Sequence, residues 1–252
     1  MKKKIIAAQM YTLRDFLKTP EDIAKTLKKV KAIGFDAVQL SGLGPIDTLE
    51  LKKMIDGEGL VCCATHESGK EILEQPEKVV EKLKLLDCKY TAYPWPHTSP
   101  KTEQDYKQLA AALDKSGKVL RDAGQVLTYH NHAIEFQKFG KKTGLEIIYD
   151  ETDPVNLQGE IDTFWVQYGG GDPVEWCKKL DKRLPLLHLK EYGIIDNQHK
   201  ILEVGSGNLD WKRIVKAAKK SGTEWFIIEQ DTCRIDPFDS LKMGLDYLVN
   251  EI

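Results

Sequence analysis

The sequence predicts an α/β fold, a single (β/α)8 barrel that takes residues 1–252 as one domain. Three observations lead there. A chain of 252 residues makes either two small domains or one barrel-sized one, and no stretch rich in Pro, Gly or Ser divides it. An amphipathic Lys-rich segment, then Gly or Asp, then a short apolar run ending in polar residues recurs along the chain. Ala32-Ile33-Gly34-Phe35-Asp36-Ala37-Val38-Gln39-Leu40 and Gly222-Thr223-Glu224-Trp225-Phe226-Ile227-Ile228-Glu229 are two instances of this pattern of βα units. Counting the apolar runs gives about eight strands, the number that closes such a barrel.

Taken in order, strands are predicted at 5–11, 37–41, 60–66, 90–95, 126–132, 157–162, 184–190 and 225–230. Helices are predicted at 21–33, 46–58, 76–86, 103–123, 173–180, 210–221 and 237–250. The first helix shows the logic. Thr19-Pro20-Glu21-Asp22 supplies a cap and a proline at the first helical position, and Ile23, Leu27, Val30 and Ile33 form one apolar stripe. Asp172-Pro173 and Asp236-Pro237 repeat the device. Gly34, Gly124 and Gly222 follow helices, where glycine accepts the left-handed conformation that turns the chain into the next strand. The helix after the fifth strand, 143–150, is short and weakly marked.

Composition excludes several classes. Hydrophobic residues at 41% and charged residues at 30% suit a globular chain with one large core. A formal charge of −2 gives no bulk electrostatic reason for a nucleic-acid partner. No apolar run approaches the roughly 20 residues of a membrane helix, and the apolar stretch after Lys2-Lys3-Lys4 is too short for a signal peptide. The five cysteines, odd in number and without a CxxC pair, point to a reducing cytoplasm. Cys62 and Cys63, adjacent on a strand, face opposite sides and read as small buried hydrophobes.

Function in a parallel barrel gathers at the carboxyl ends of the strands, and here those ends are polar. Strand one carries Gln9, Tyr11 and Arg14, strand three ends Thr65-His66-Glu67, and strand five ends Tyr129-His130-Asn131-His132, with Glu135 just beyond. Gln158-Gly159-Glu160-Ile161-Asp162, His188-Leu189-Lys190-Glu191 and Glu229-Gln230-Asp231 end strands six to eight. Asp162, His188 and Glu229 thus bring ligand-type residues to one height from three consecutive strands, a donor mixture that suits Zn, Mn or Co. His130 and His132, two apart, share a face, so one can bind metal while the other meets substrate. Tyr11, Trp95, Phe164 and Trp165 are placed to rim the mouth with flat apolar surfaces that suit sugar rings. Trp176, Trp211 and Trp225 read as core, and His97 and His199 as solvated.

These residues together resemble the xylose isomerase-like TIM-barrel superfamily, the sugar phosphate isomerase/epimerase group. The resemblance covers nearly the whole chain. It rests on Ala8-Gln9-Met10-Tyr11-Thr12-Leu13-Arg14, Gly34-Phe35-Asp36-Ala37-Val38-Gln39-Leu40 and Tyr129-His130-Asn131-His132-Ala133-Ile134-Glu135-Phe136. Glu160-Ile161-Asp162-Thr163-Phe164-Trp165-Val166, Leu187-His188-Leu189-Lys190-Glu191, Val204-Gly205-Ser206-Gly207 and Ile228-Glu229-Gln230-Asp231 add to it. The resemblance implies a divalent metal (Mn, Co, Zn or Mg) held by Glu, Asp, His and Glu from strands five to eight. Here that gives Asp162, His188 and Glu229, while His130 stands where the strand-five glutamate is usual, with His132 as its rival.

What the resemblance implies for function is a metal-dependent isomerase or epimerase that removes a proton next to a carbonyl of a keto-sugar or sugar derivative. The missing strand-five glutamate keeps a lyase or dehydratase of a 3-keto sugar or inosose in view, and a non-catalytic sugar-binding barrel is the third reading. Glu229 is expected to be ligand and base, with His130 and Glu135 as candidates for the opposite proton transfer. Gln9, Tyr11, Arg14, His66, Trp95, His132, Glu160 and Lys190 are expected to bind substrate. The expected partner is a small sugar, with neither nucleic acid nor membrane, and a homo-oligomer is compatible with the sequence.

Overall fold

In the computed structural model, which describes residues 1–252, eight parallel strands close on themselves. They are β1 (Ile6–Gln9), β2 (Ala37–Leu40), β3 (Val61–His66), β4 (Tyr90–Tyr93), β5 (Val126–His130), β6 (Leu157–Asp162), β7 (Leu186–Leu189) and β8 (Trp225–Ile228). Neighbours in sequence are neighbours in the barrel, and β8 returns to pair with β1. The helices are α1 (Pro20–Ile33), α2 (Thr48–Gly57), α3 (Gly69–Glu74), α4 (Pro76–Leu85), α5 (Glu103–Asp122), α6 (Gly144–Asp150), α7 (Thr163–Tyr168), α8 (Pro173–Lys179), α9 (Trp211–Lys220) and α10 (Pro237–Glu251). No helix is long and apolar enough to cross a membrane.

Side chains alternate along each strand, so each strand has one face toward the barrel axis and one toward the helices. The lower interior is a small plug of Ala7, Ala37, Cys63, Ala64, Tyr90, Leu186 and Ile227. The larger core lies between sheet and helices and includes Ile23, Leu27 and Val30 of α1, together with Cys62. The two adjacent cysteines therefore point to opposite sides, as expected. Register then stacks the polar layers above the plug. Gln9 pairs with Gln39, His130 with Glu160, and Asp162 with His188.

Predicted and observed elements differ in ways that have local causes. β1 stops at Gln9 because its side chain accepts a hydrogen bond from the Tyr11 amide and starts a 3-10 helix, Met10–Phe16. The segment at 143–150 forms a definite helix, because Thr143 and Glu146 cap it reciprocally. The hairpins Lys138–Phe139 with Lys142–Thr143 and Glu191–Ile195 with Gln198–Leu202, and the short α3 and α7, were not foreseen. Each is too brief to show a helical or strand period. Trp176 and Trp211 are buried as expected, whereas Trp225 is half-buried at the start of β8.

Glu135, expected to serve proton transfer, stands outside the barrel wall. Tyr129 faces away from the axis, opposite to His130, and its hydroxyl donates to Glu135 Oε1 at 2.9 Å while the His132 amide donates to Oε2 at 2.8 Å. Both oxygens are thus engaged in pinning the turn after β5. Burial pushes the Glu135 carboxyl up to about 7, against the pull of those two donors. A raised folded value means that the native state holds the proton longer than the unfolded chain does. Stability is therefore unaffected below the unfolded value near 4.5 and falls as pH rises through 7. The stability difference between wild type and Glu135→Gln should move by roughly 2 kcal/mol against the wild type between pH 5 and pH 8, as read from denaturant midpoints. A difference that stays flat across that range rejects the assignment.

Candidate functional site

Two polar layers fill the upper barrel. The lower one joins Gln9 of β1, Gln39 of β2, His66 of β3, His130 of β5, Glu160 of β6 and His188 of β7. The Gln9 amide Nε2 donates to Gln39 Oε1 at 2.8 Å, and Gln39 Nε2 donates to Glu160 Oε2 at 2.6 Å. His66 Nε2 lies 2.5 Å from Glu160 Oε1, and His188 Nε2 lies 2.6 Å from Gln39 Oε1. Gln9 and Glu160 were expected to touch substrate, but both are fully buried here and belong to this supporting layer.

The upper layer is more acidic. His188 Nδ1 is 2.7 Å from Glu229 Oε2. Lys190 Nζ lies 2.9 Å from Asp162 Oδ2, 3.0 Å from Glu229 Oε2 and 3.0 Å from Asp231 Oδ2. Lys190, expected as a substrate contact, is completely buried and serves instead as counter-ion to these three carboxylates. Asp162 is held at two points: its side chain caps α7 by accepting from the Trp165 amide, and its own amide donates to Asn131 Oδ1. Asp162 Oδ2 has the Lys190 ammonium as its partner, and His130 Nδ1 lies 3.2 Å from Glu160 Oε1 while its Nε2 faces Asp162 Oδ2 at 3.9 Å.

The charges follow from this packing. Burial favours a neutral Asp162 and raises its carboxyl to about 6 despite Lys190. Burial works the same way on Glu229, but Lys190 and His188 outweigh it and hold that carboxyl well below the usual range. Burial alone would lower His188, yet Glu160 and Glu229 raise it to about 10. Burial and the nearby His188 lower His130 to about 3, and burial with His130 lowers His132 to about 2. The two β5 imidazoles are therefore neutral, the form that offers a lone pair to a metal or a substrate.

One donor atom from each of His130, Asp162, His188 and Glu229 lies within 4.8 Å of the others. The same holds for His66, His130, Glu160 and His188 in the layer below. The first set fits a divalent ion: it mixes imidazole nitrogen with carboxylate oxygen, His130 Nε2 and Asp162 Oδ2 face each other at 3.9 Å, and its carboxylates outnumber the ammonium beside them. His132 lies outside both sets, its ring centroid 4.9 Å from that of His130.

Above the site a cavity of about 630 Å³ is lined by Tyr11, Pro94, Trp95, Trp165 and Ile201 on its apolar walls, and by His66, His130, His132, Glu229 and Asp231 on its polar ones. Trp95 is 48% exposed and meets the His132 ring edge-on at 4.7 Å. Arg14 stays at the rim, with its guanidinium over the Tyr11 ring at 4.5 Å and donating to the Asp231 carbonyl. Gln39, unmarked in the sequence, and the capping role of Asp162 that fixes Trp165 became evident only from the structure. His97 and His199 are exposed, as expected. A second cavity of about 410 Å³ beside β2 and β3 shares Ser41 and His66 with the first.

A family model described as xylose isomerase-like TIM barrel matches residues 27–250. The inosose dehydratase of Lacticaseibacillus casei is 27% identical over 167 residues, 58% of this chain and 55% of that one, so the match spans about half of that relative's length. The inosose dehydratase of Geobacillus kaustophilus (strain HTA426) is 23% identical over 270 residues, covering 89% of this chain and 85% of the relative. Among solved structures, a sugar phosphate isomerase/epimerase from Parabacteroides distasonis ATCC 8503 matches with a TM-score of 0.84 at 22% identity, over 98% of this chain and 94% of that one. L-ribulose 3-epimerase matches at 0.72 and 17% identity, over 97% and 93%. The fold, the strand-end motifs and the family match agree: the chain belongs to the xylose isomerase-like TIM barrel family.

Proposed function

We propose that the protein is a metal-dependent isomerase or epimerase that abstracts a proton next to a carbonyl of a keto-sugar or sugar derivative. The observation that supports this most is the convergence of His130, Asp162, His188 and Glu229 at the base of an aromatic-walled cavity. Burying so many charged groups costs stability unless they are paired, and no packing need of the barrel calls for them. A divalent ion held by these four residues supplies positive charge beside the carbonyl, which makes the neighbouring C–H acidic.

Each residue then has a task set by its position. Glu229 commits Oε2 to His188 and Lys190, and no protein donor reaches its Oε1 on the cavity side. That oxygen is the base. His130 and His132 enter from β5, across the mouth from β8 in the strand order. Held neutral, they replace Glu135 as the polar groups opposite the base, and the proton taken up by Glu229 is the one available for return. Trp165 Nε1 and His132 Nδ1, buried without protein partners, are a donor and a second polar atom left for sugar hydroxyls. Tyr11 and Trp95 flank the ring.

A second reading is a lyase or dehydratase. It is favoured by the lack of a carboxylate at the end of β5, which a symmetrical two-carboxylate epimerisation would need opposite Glu229, and by the name inosose dehydratase on the relatives above. Both readings share the first proton abstraction.

Metal binding is tested directly by calorimetry with Mn, Co and Zn on chelator-stripped protein. One ion per chain is expected, with Asp162→Asn weakening it at least tenfold; wild-type affinity in that variant removes Asp162 from the site. Incubating the metal-loaded protein with a panel of keto-sugars and inososes in heavy water tests the chemistry. Deuterium should enter at the carbon beside the carbonyl, and Glu229→Gln should slow this by about 10²–10⁴. Exchange without loss of mass supports the isomerase, loss of water supports the dehydratase, and wild-type exchange in Glu229→Gln would exclude Glu229 as the base.

A further inference from the structure

We propose that Gln39 is a positioning residue that fixes the tautomer of His188, keeping the proton on Nε2 and presenting Nδ1 to the metal. This rests on the metal reading above. The argument is one of donors and acceptors. An amide side chain has an accepting end and a donating end, and its orientation is set by what its neighbours are able to do.

Two anchors fix the orientation independently. At one end the Tyr11 backbone N–H, which can only donate, meets Gln9 Oε1 at 3.3 Å. The donating end of Gln9 is thereby turned to Gln39, whose nearer atom must be the carbonyl, Oε1. At the other end the carboxylate of Glu160, itself accepting from His66, faces Gln39 at 2.6 Å and requires its NH₂ end. Both anchors give Gln39 the same polarity. Its Oε1 then lies 2.6 Å from His188 Nε2 and can only accept, as can the more distant Glu160 Oε1 at 3.1 Å, so His188 Nε2 carries the proton. The other ring nitrogen, Nδ1, is 2.7 Å from Glu229 Oε2 and within 4.0 Å of Asp162 Oδ2, on the side of the proposed metal.

Supporting hydrogen bonds to a ligating histidine orient the ring and set its basicity, and their loss commonly weakens metal binding 10- to 100-fold. Gln39 is buried and outside the mouth cavity, so an effect of its substitution reports on positioning and not on substrate contact.

The test uses the full chain, Zn as probe, long-range ¹H–¹⁵N correlation spectra of the His188 ring, and calorimetry. In Zn-loaded wild type, Nε2 should carry hydrogen and Nδ1 should show the metal-bound shift; in the metal-free protein Nε2 should still carry hydrogen. Gln39→Met, similar in shape but lacking the acceptor, should bind Zn 10- to 100-fold more weakly, with faster exchange of the Nε2 proton. Zn on Nε2 of the wild type, or an unprotonated Nε2 in the metal-free protein, overturns the proposal without any variant. So does Gln39→Met with unchanged affinity and an equally protected proton. Should the wild type bind no Zn, the metal reading falls; the tautomer assignment then stands where spectra recorded at a pH at which the ring is neutral show hydrogen on Nε2 and none on Nδ1, and falls where they show it on Nδ1.

Discussion

The carboxylate of Glu160, buried in the centre of a closed barrel, has to be solvated by protein alone. An unpaired charge at that depth is untenable, and the surrounding side chains are arranged to meet it. Gln39 and His66 reach it from β2 and β3, His188 from β7, while Gln9 holds Gln39 from β1. Two of the strands that supply its polar neighbours, β2 and β3, do not pair with β6 and face it only across the closed barrel. Barrel closure and assembly of the site are therefore one event, and the upper layer of possible metal ligands inherits its orientation from the layer beneath.

Much of this is legible in the sequence, because strand ends, alternation and cap residues are local signals. Asp162, His188, His130 and Glu229 could be named since each closes or follows an apolar run at a comparable height. Depth is harder to read. Glu160 lies on the same face as Asp162 but two residues earlier, about 6.6 Å lower, which takes it from the cavity into the support below. Gln9 fails as a substrate contact for the same reason. Glu135 was misread because nearness in sequence to His130 does not reveal the side of the wall; its partner Tyr129, of opposite parity to His130, would have been the clue. Gln39 sits inside the apolar run Val38-Gln39-Leu40, and a lone polar residue there has no partner visible in one dimension.

Lys190 balances part of the charge of the acidic upper layer. Its ammonium lies among Asp162, Glu229 and Asp231 at distances of 2.9 to 3.0 Å, so part of the negative charge is balanced from within the chain. The same contact means that an incoming cation shares Asp162 and Glu229 with Lys190 instead of meeting bare carboxylates. Asp162 remains in place throughout because it also caps α7. That cap ties Trp165, and with it one aromatic wall of the cavity, to the ligand at its base.

The electrostatics of the mouth bear on the kind of sugar that fits. The cavity lining contains no Lys or Arg. Arg14, at the rim, is turned to the Asp231 carbonyl and stacked on Tyr11, and Lys190 is enclosed below. What faces the ligand is Glu229, Asp231 and imidazoles kept neutral by burial. A phosphate monoester carries close to two negative charges and seeks backbone nests, helix N-termini or Arg and Lys clusters; the side chains lining this cavity include no Lys or Arg. A neutral polyol finds partners for its hydroxyls in the imidazoles and the Trp165 indole, and a flat apolar wall for its ring in Trp95 and Tyr11. Hydroxyl partners and flat apolar walls thus stand together above the same carboxylates that the barrel interior holds.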